Sequence, residues 1–353
     1  MSQTSSIDAT ALTQLVGLLF QAKGVPEDGA RLVAQSLVSA DQEGVASHGV
    51  ALVPMYLERL RAGSVNALAV PEIAEDHGGL LVMAAHGALG QVSSGMAVDL
   101  VLERARVHGV AAVAVRDAFH FGTAAFWARR MAAAGMIGFA FSNTRPLMPA
   151  PGGAERVVGN NPMSIAFPSA ASGEPIVVDM AMSATAMGKI RLAEAAGNPI
   201  PAGWAVDAQG NSTTSPTDAI NGMLLPAAGP KGFGLAVAID LLCGALSGGA
   251  VGAAVRPLYG DLSQPYGCAH MFIAINAASV GAGAGIGAAV SAFAQSIRDS
   301  KKAPGTDRIY APGDLERARR AGNGEHCTLP DDVIKSLNQL AEQTGVAARL
   351  EAQ

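Results

Sequence analysis

Hydrophobic positions change their spacing along the chain, and each change predicts a different kind of element. Between residues 6 and 62 the period is helical: Val33, Leu37 and Ala40 follow a Pro26-Glu27-Asp28 start, and Val53, Leu57 and Leu60 repeat it before Gly63. This predicts a helical N-terminal region ending near residue 75. From about 80 to 180 the pattern shortens to apolar runs separated by turns: LLVMAA (80–85), VAAVAV (110–115), MIGFAFS (136–142) and PIVVDMA (175–181), which predict strands. Helices fit between them from about Ser93 to His108 and from Thr123 to Ala134, stopped by Gly109 and Gly135. A turn-rich stretch, 195–220, is expected to cross the surface before LLPAAGPKGFGLAVAIDLLCGAL (224–246) returns to a buried helix. After Ile297 the chain becomes charged, and an amphipathic helix is expected near 330–348.

One segment invites a nucleotide-binding reading. SVGAGAGIGAAVSAF (279–293) follows the strand-like MFIAI (271–275), and Gly283, Gly285 and Ala288 fit G-x-G-x-x-G/A. A dinucleotide turn of that type opens a βαβ unit and needs an acidic residue about 20 positions on, at the end of a second strand. Here DSKKAPGTDRIY follows, with no strand-like run before Asp299 or Asp307, and 66 residues remain after Gly287. The segment is therefore expected to be a turn leading into a tightly packed helix. Met271 to Ile297 also lacks charge and is long enough to span a bilayer, but Asn276, Ser279, Ser291 and Gln295 interrupt it and no aromatic belt flanks it. A strand followed by a buried helix accounts for it better.

Composition narrows the class. The 353 residues suggest two lobes, and 50% hydrophobic with 15% charged residues and 42 glycines suits a compact α/β protein. A net charge of −5 offers no general attraction to nucleic acid or an anionic membrane. Cys243, Cys268 and Cys327 are odd in number and lack metal-ligand spacing, so no metal is expected and a reducing cytoplasm is the natural setting. The N-terminus lacks the basic and apolar regions of an export signal.

Histidines are the first candidates for proton exchange near neutral pH. His77, His108, His270 and His326 read as surface or structural groups in loops or at element ends. His120 differs: it follows the strand VAAVAV, and Gly122 and Thr123 open a helix whose free amides suit an anion. His48 follows a helix, beside the donor Ser47. SNTRPLMPAPGG (142–153), GNNPMSIAFP (159–168), VDMAMS (178–183) and GPKGFG (229–234) read as loops after strands or before helices, and Lys231 stands at a helix start without the P-loop spacing.

In their order and spacing, SHG, HFGTAAF, SNT, PGG, GNNP, VVDMAMS, GKI, PIPAGWAVDAQGNSTT, LLPAAGPKGFGL and LSG resemble the malate/L-lactate dehydrogenase family that lacks a Rossmann fold. The resemblance covers nearly the whole chain, and LLPAAGPKGFGL is especially similar to ureidoglycolate dehydrogenase. It implies an α/β fold with a non-Rossmann mixed-sheet cofactor domain (76–255) and a helical domain formed by both chain ends (1–75 and 256–353). It also implies an NAD- or NADP-dependent oxidoreductase acting on a small carboxylic acid, as a homodimer or dimer of dimers. By motif, His120 would be the acid/base residue, with His48 and Ser47 in the same site. Cofactor contacts would fall on Thr144, on Asp179, Met180 and Ala181, on Lys231 and at Gly305, with Lys189 a further candidate.

One departure bears on the substrate. Relatives carry an arginine four residues after the SHG histidine to bind a carboxylate, and this chain has Leu52 there. A charged hydrogen bond is worth roughly 1.5–3 kcal/mol, so another cation should take its place. Arg145, directly after a strand and beside Thr144, is the first candidate; Arg59 and Arg61 read as solvated helix positions. Three readings follow: hydride transfer on a small 2-hydroxy or 2-oxo acid of the malate, lactate, sulfolactate or ureidoglycolate type, reduction of a cyclic imino acid, or an inactive binding homologue.

Overall fold

The computed structural model describes residues 3–170, 174–281 and 285–351. The chain begins with β1 (Thr4–Asp8), α1 (Ala9–Gln21), α2 (Glu27–Gln42) and α3 (Val53–Ala62). Asp8 caps α1 by accepting the Ala11 N–H at 2.7 Å, and Glu27 and Asp28 place negative charge where the α2 dipole favours it. Then come β2 (Glu72–Asp76), β3 (Leu80–Ala84), α4 (Gly90–His108), β4 (Val110–Ala118), α5 (Ala124–Ala133) and β5 (Ile137–Ser142). The short pair β6 (Met148–Pro149) and β7 (Arg156–Val158) precedes β8 (Met163–Phe167) and β9 (Ile176–Met180). Beyond them lie α6 (Met187–Ala195), β10 (Ala205–Val206), α7 (Pro216–Asn221), β11 (Met223–Leu224) and α8 (Pro230–Asp240). The chain closes with β12 (Cys268–Ile275), α9 (Ile286–Arg298), α10 (Asp314–Asn323), β13 (His326–Pro330) and α11 (Asp331–Thr344).

Seven strands form the main sheet in the order β2-β3-β4-β12-β5-β8-β9. Only β3 and β4 run parallel; the other neighbours are antiparallel. A strand from the last quarter of the chain thus sits between β4 and β5, which is no doubly wound order, and the sheet is mixed and non-Rossmann. Strand alternation sorts the core into two. Val113, Val115, Phe272 and Ala274 face α4, α5 and the N-terminal helices, joining Val98, Trp127, Leu37 and Leu337. Ala114, Phe141 and Met271 pack on the opposite side with Met182, Leu224, Ala236 and Ile239. The two chain ends meet through β1 and β13, which pair antiparallel from Thr4↔Pro330 to Asp8↔His326.

Several sequence expectations need correction. The helical region starts with a strand, β1, because its partner is more than 300 residues away. PMSIAFP, read as loop, is strand β8, the neighbour of β5 and β9. Within the glycine segment, α9 covers Ile286–Arg298, but it lies on the surface with only Ala294 buried and Phe293 64% exposed, so it is not a tightly packed helix. Gly283 lies outside the described residues. No described helix is long and apolar enough to cross a membrane.

Candidate active site

His120 lies in the link between β4 and α5, and that link is fixed on both sides. Phe119 before it is 1% exposed. Gly122 after it has φ +83, and a Cβ there would come within 2.6 Å of Ser36 Oγ, so backbone conformation and space both call for glycine. His120 itself is half-buried. Its Nδ1 lies 2.6 Å from the hydroxyl of Tyr56 on α3, and among the described residues its Nε2 has no partner.

His48 arrives from the other side, on a single helical turn after α2. Its ring stacks on that of His120, with centroids 5.3 Å apart and 29° between planes, and its Nδ1 is 2.9 Å from Ser47 Oγ. The turn is pinned by Asp41, whose carboxylate accepts the Val50 N–H at 2.7 Å. A Cβ on Gly49 would overlap that carboxylate at 2.0 Å, which explains the glycine of SHG. Ser47, His48 and His120 therefore lie together.

The imidazoles sit in a poor solvent for charge. Burial pushes His120 well below the ordinary histidine range, and His48 and His270 nearby push the same way. Burial lowers His48 as well, and raises Asp41 to about 7. His270, read from sequence as a surface or structural group in a loop or at an element end, is fully buried on β12. Its Nε2 is 3.0 Å from the Phe119 carbonyl and its Nδ1 3.0 Å from Ser142 Oγ, and its ring stacks on Phe121 at 4.4 Å. It braces the backbone that carries His120.

Three arginines were candidates for a substrate carboxylate, and the fold separates them. Arg59 is not solvated: it is 0% exposed and donates to the carbonyls of Pro257, Leu258 and Gln264 and to Ser64 Oγ. Arg61 is exposed and paired with Glu58 on the same helix. Arg145 is half-buried, its guanidinium makes no hydrogen bond or ion pair among the described residues, and burial together with Arg156 lowers its pKa. Tyr266 connects this region to the histidines, meeting Phe119 edge-on at 6.2 Å while Phe119 meets Tyr56 at 4.9 Å. Leu52 is 5% exposed in the main core.

Of the expected cofactor residues, Thr144 and Asp179, Met180 and Ala181 lie at the ends of β5 and β9. Thr144 Oγ1 donates to Asn160 Oδ1 at 3.0 Å, the Met182 amide donates to the Asn160 carbonyl at 2.7 Å, and the Ala227 amide donates to the Met182 carbonyl at 2.9 Å. This ladder ties Thr144, the Asp179–Ala181 strand end and the loop leading to Lys231 at the start of α8. Asp179 and Met180 open onto a groove of about 1600 Å³ that Thr123, Arg129, Arg308 and Tyr310 also line. The groove walls raise Asp179 to about 7 by desolvation, while Arg129 opposes the shift. Lys189 on α6, Lys231 and Gly305 are exposed outside the groove lining, Gly305 with φ +76.

Four of the five arginines lining the groove have a carboxylate partner, two sharing each of two carboxylates. Arg129 and Arg320 reach Glu43, and Arg298 and Arg317 reach Asp314. Arg308 has no carboxylate partner among the described residues and lies over the Tyr310 ring at 5.1 Å. No group of three metal-ligating side chains occurs among the described residues. Tyr56, Asp41, His270 and Arg308 were not singled out in the sequence. Only Tyr56 left a signal, a hydroxyl on the apolar face of a predicted helix, which must find a partner when buried.

A mixed, non-Rossmann sheet that carries two stacked histidines at one of its connections defines an α/β class of protein, and comparison with known proteins gives the family. The chain belongs to the malate/L-lactate dehydrogenase family, whose profile matches residues 7–338. It is 34% identical to a (2R)-3-sulfolactate dehydrogenase (NADP(+)) of Chromohalobacter salexigens, over 91% of this chain and 93% of that protein. It is 32% identical to a ureidoglycolate dehydrogenase (NAD(+)) of Escherichia coli O157:H7, over 94% of each. The solved sulfolactate dehydrogenase of Methanocaldococcus jannaschii superposes with a TM-score of 0.91 at 31% identity, covering 97% of this chain and 98% of that one.

Proposed function

We propose that this protein is an NAD(P)-dependent dehydrogenase that interconverts a small 2-hydroxy acid and its 2-oxo acid, with His120 as the acid/base. The carrying observation is the disposition of the His120 ring: Nδ1 is held by buried Tyr56, and Nε2 has no partner among the described residues. A nicotinamide, when bound, supplies the hydride chemistry. The residues present suit such a cofactor: Asp179 offers a carboxyl group at the groove, Arg308 an unpaired cation, and Lys231 a charge at the first turn of α8.

His120 takes the hydroxyl proton of the substrate during oxidation and returns it during reduction. The lowered pKa keeps it neutral and ready to accept a proton at pH 7, and makes its protonated form a strong donor. His48 and Ser47 line the same site and restrict the substrate oxygen to His120. Arg145 takes the carboxylate in place of the arginine that Leu52 replaces. Arg145→Ala should raise KM or lower kcat; both unchanged on the true substrate would remove this role. Screening 2-oxo acids, ureidoglycolate and cyclic imino acids with NADH and NADPH, after fluorescence titration of each cofactor, tests the whole reading. No cofactor binding would defeat it.

The outer face of α8 and the turn after it supports a homodimer or dimer of dimers. Leu235, Leu241 and Leu246 are 50%, 52% and 43% exposed there, alongside Leu242, with Lys231 at the N-terminal end of the face. Sedimentation at micromolar concentration should show no monomer. Three buried free thiols suit a reducing cytoplasm. The division into a cofactor domain, 76–255, flanked by the helical segments 1–75 and 256–353 belongs to the same reading.

A further inference from the structure

We propose that Tyr56 is the positioning residue that decides which nitrogen of His120 carries the proton, and so whether His120 can act as a base. This rests on the acid/base reading above. The Tyr56 oxygen has three polar neighbours: His120 Nδ1 at 2.6 Å, the His120 carbonyl at 3.2 Å and Gln91 Nε2 at 3.5 Å. A phenol has one proton to give and two lone pairs, so these neighbours admit two arrangements.

In one arrangement Tyr56 donates to Nδ1. The Gly122 N–H, 3.4 Å from Nδ1, points at the same lone pair, the His120 carbonyl loses its tyrosine donor, and the neutral ring carries its proton on Nε2. A ring in that state cannot accept a proton at Nε2. In the other arrangement Nδ1–H donates to the Tyr56 oxygen, Tyr56 donates to the His120 carbonyl, and Gln91 donates to the remaining lone pair. Nε2 then presents a lone pair toward the site, and Gly122 N–H is the group left over.

The first state satisfies one backbone group and the second satisfies the other; their interchange needs the Tyr56 O–H to turn and the ring proton to leave Nε2 for solvent while another arrives at Nδ1. Tyr56 is fully buried, and burial keeps its phenol protonated. The proton balance of the reaction uses the second state in both directions. During oxidation the substrate O–H proton moves to Nε2 while Nδ1–H stays on Tyr56. During reduction Nε2–H is delivered to the substrate oxygen and the neutral ring is left with its proton on Nδ1.

Tyr56→Phe removes the acceptor for Nδ1–H while keeping the ring that packs on Phe119 and Phe20. Nδ1 then has only the Gly122 N–H and must be unprotonated. The test is the ¹⁵N spectrum of the imidazole of His120, assigned by difference against His120→Gln, with cofactor titration and turnover on the same samples. The wild type should show a protonated Nδ1 in part or in full, and Tyr56→Phe an unprotonated Nδ1 with Nε2–H. Oxidation should slow by ~10²- to 10⁴-fold, as for other imidazoles held in the wrong tautomer, while cofactor Kd stays within about threefold, a shift of under ~0.7 kcal/mol. Identical tautomers in the two proteins overturn the proposal, as does unchanged turnover in Tyr56→Phe when His120→Gln is inactive. If Tyr56→Phe changes the tautomer but His120→Gln retains full turnover, the acid/base reading fails and tautomer control by Tyr56 stands.

Discussion

Acidifying this protein from pH 7 to pH 4 should remove about 3 kcal/mol of stability through His270 alone. In the folded chain His270 is 0% exposed, and burial brings its pKa from 6.5 to about 4. Its Nε2–H donates to the Phe119 carbonyl, and the Ser142 hydroxyl, which also lies 3.0 Å from the Asn143 carbonyl, is the donor that faces Nδ1. Between pH 6.5 and 4 the unfolded chain takes up a proton that the folded chain refuses. Stability therefore falls as pH falls through 6.5 and levels off below about 4. At ~1.4 kcal/mol per pH unit the interval is worth about 3 kcal/mol. Urea unfolding of wild type and His270→Asn at pH 7 and pH 4 isolates it, because His48 and His120 are common to both and cancel. The variant starts lower at pH 7, by ~2–4 kcal/mol for the lost stacking and hydrogen bonds. Its decline between the two pH values should be smaller than that of the wild type by about 3 kcal/mol. Equal declines would refute the argument.

Arg59→Met should lower stability by ~3–5 kcal/mol by leaving the Pro257, Leu258 and Gln264 carbonyls without their donor; a thermal shift equivalent to under ~1 kcal/mol would contradict that role. Arg308→Ala should weaken binding of the nicotinamide dinucleotide about tenfold or more, the worth of one charged hydrogen bond, and an unchanged Kd by fluorescence would remove it from the cofactor site. Because burial holds His120 well below 6.5, its acid form is scarce at neutral pH. The kcat/KM for reduction should then fall about tenfold per pH unit above pH 6.5, while that for oxidation stays flat. A rise in reduction with pH over that range would be the opposite sign.

Much of the sheet was legible because its inner strands, packed between two cores, read as short apolar runs bounded by glycines, as in VAAVAV and MIGFAFS. Among the strands that escaped, β2 is exposed at all five residues and shows no apolar run, and three others illustrate two further causes. β1 and β13 are only five residues each and find one another across more than 300 residues, a pairing that no local period encodes. β8 was hidden by the prolines and asparagines around it, which signal turns whether or not a strand lies between them. Within the site, His48 and His120 were legible by their place after a helix and a strand. His270 was not, since one polar residue inside an apolar run gives no sign of the Ser142 and Phe119 partners that satisfy it. Arg59 was misread for a related reason: its carbonyl partners come from a loop some 200 residues later.

The central claim is that His120 exchanges the substrate proton, and His120→Ala tests it most directly. NADH and NADPH affinities should stay within about threefold of wild type, under ~0.7 kcal/mol, while turnover on the substrate found by screening drops ~10²- to 10⁴-fold. Cofactor binding preserved with near-normal turnover would contradict the account.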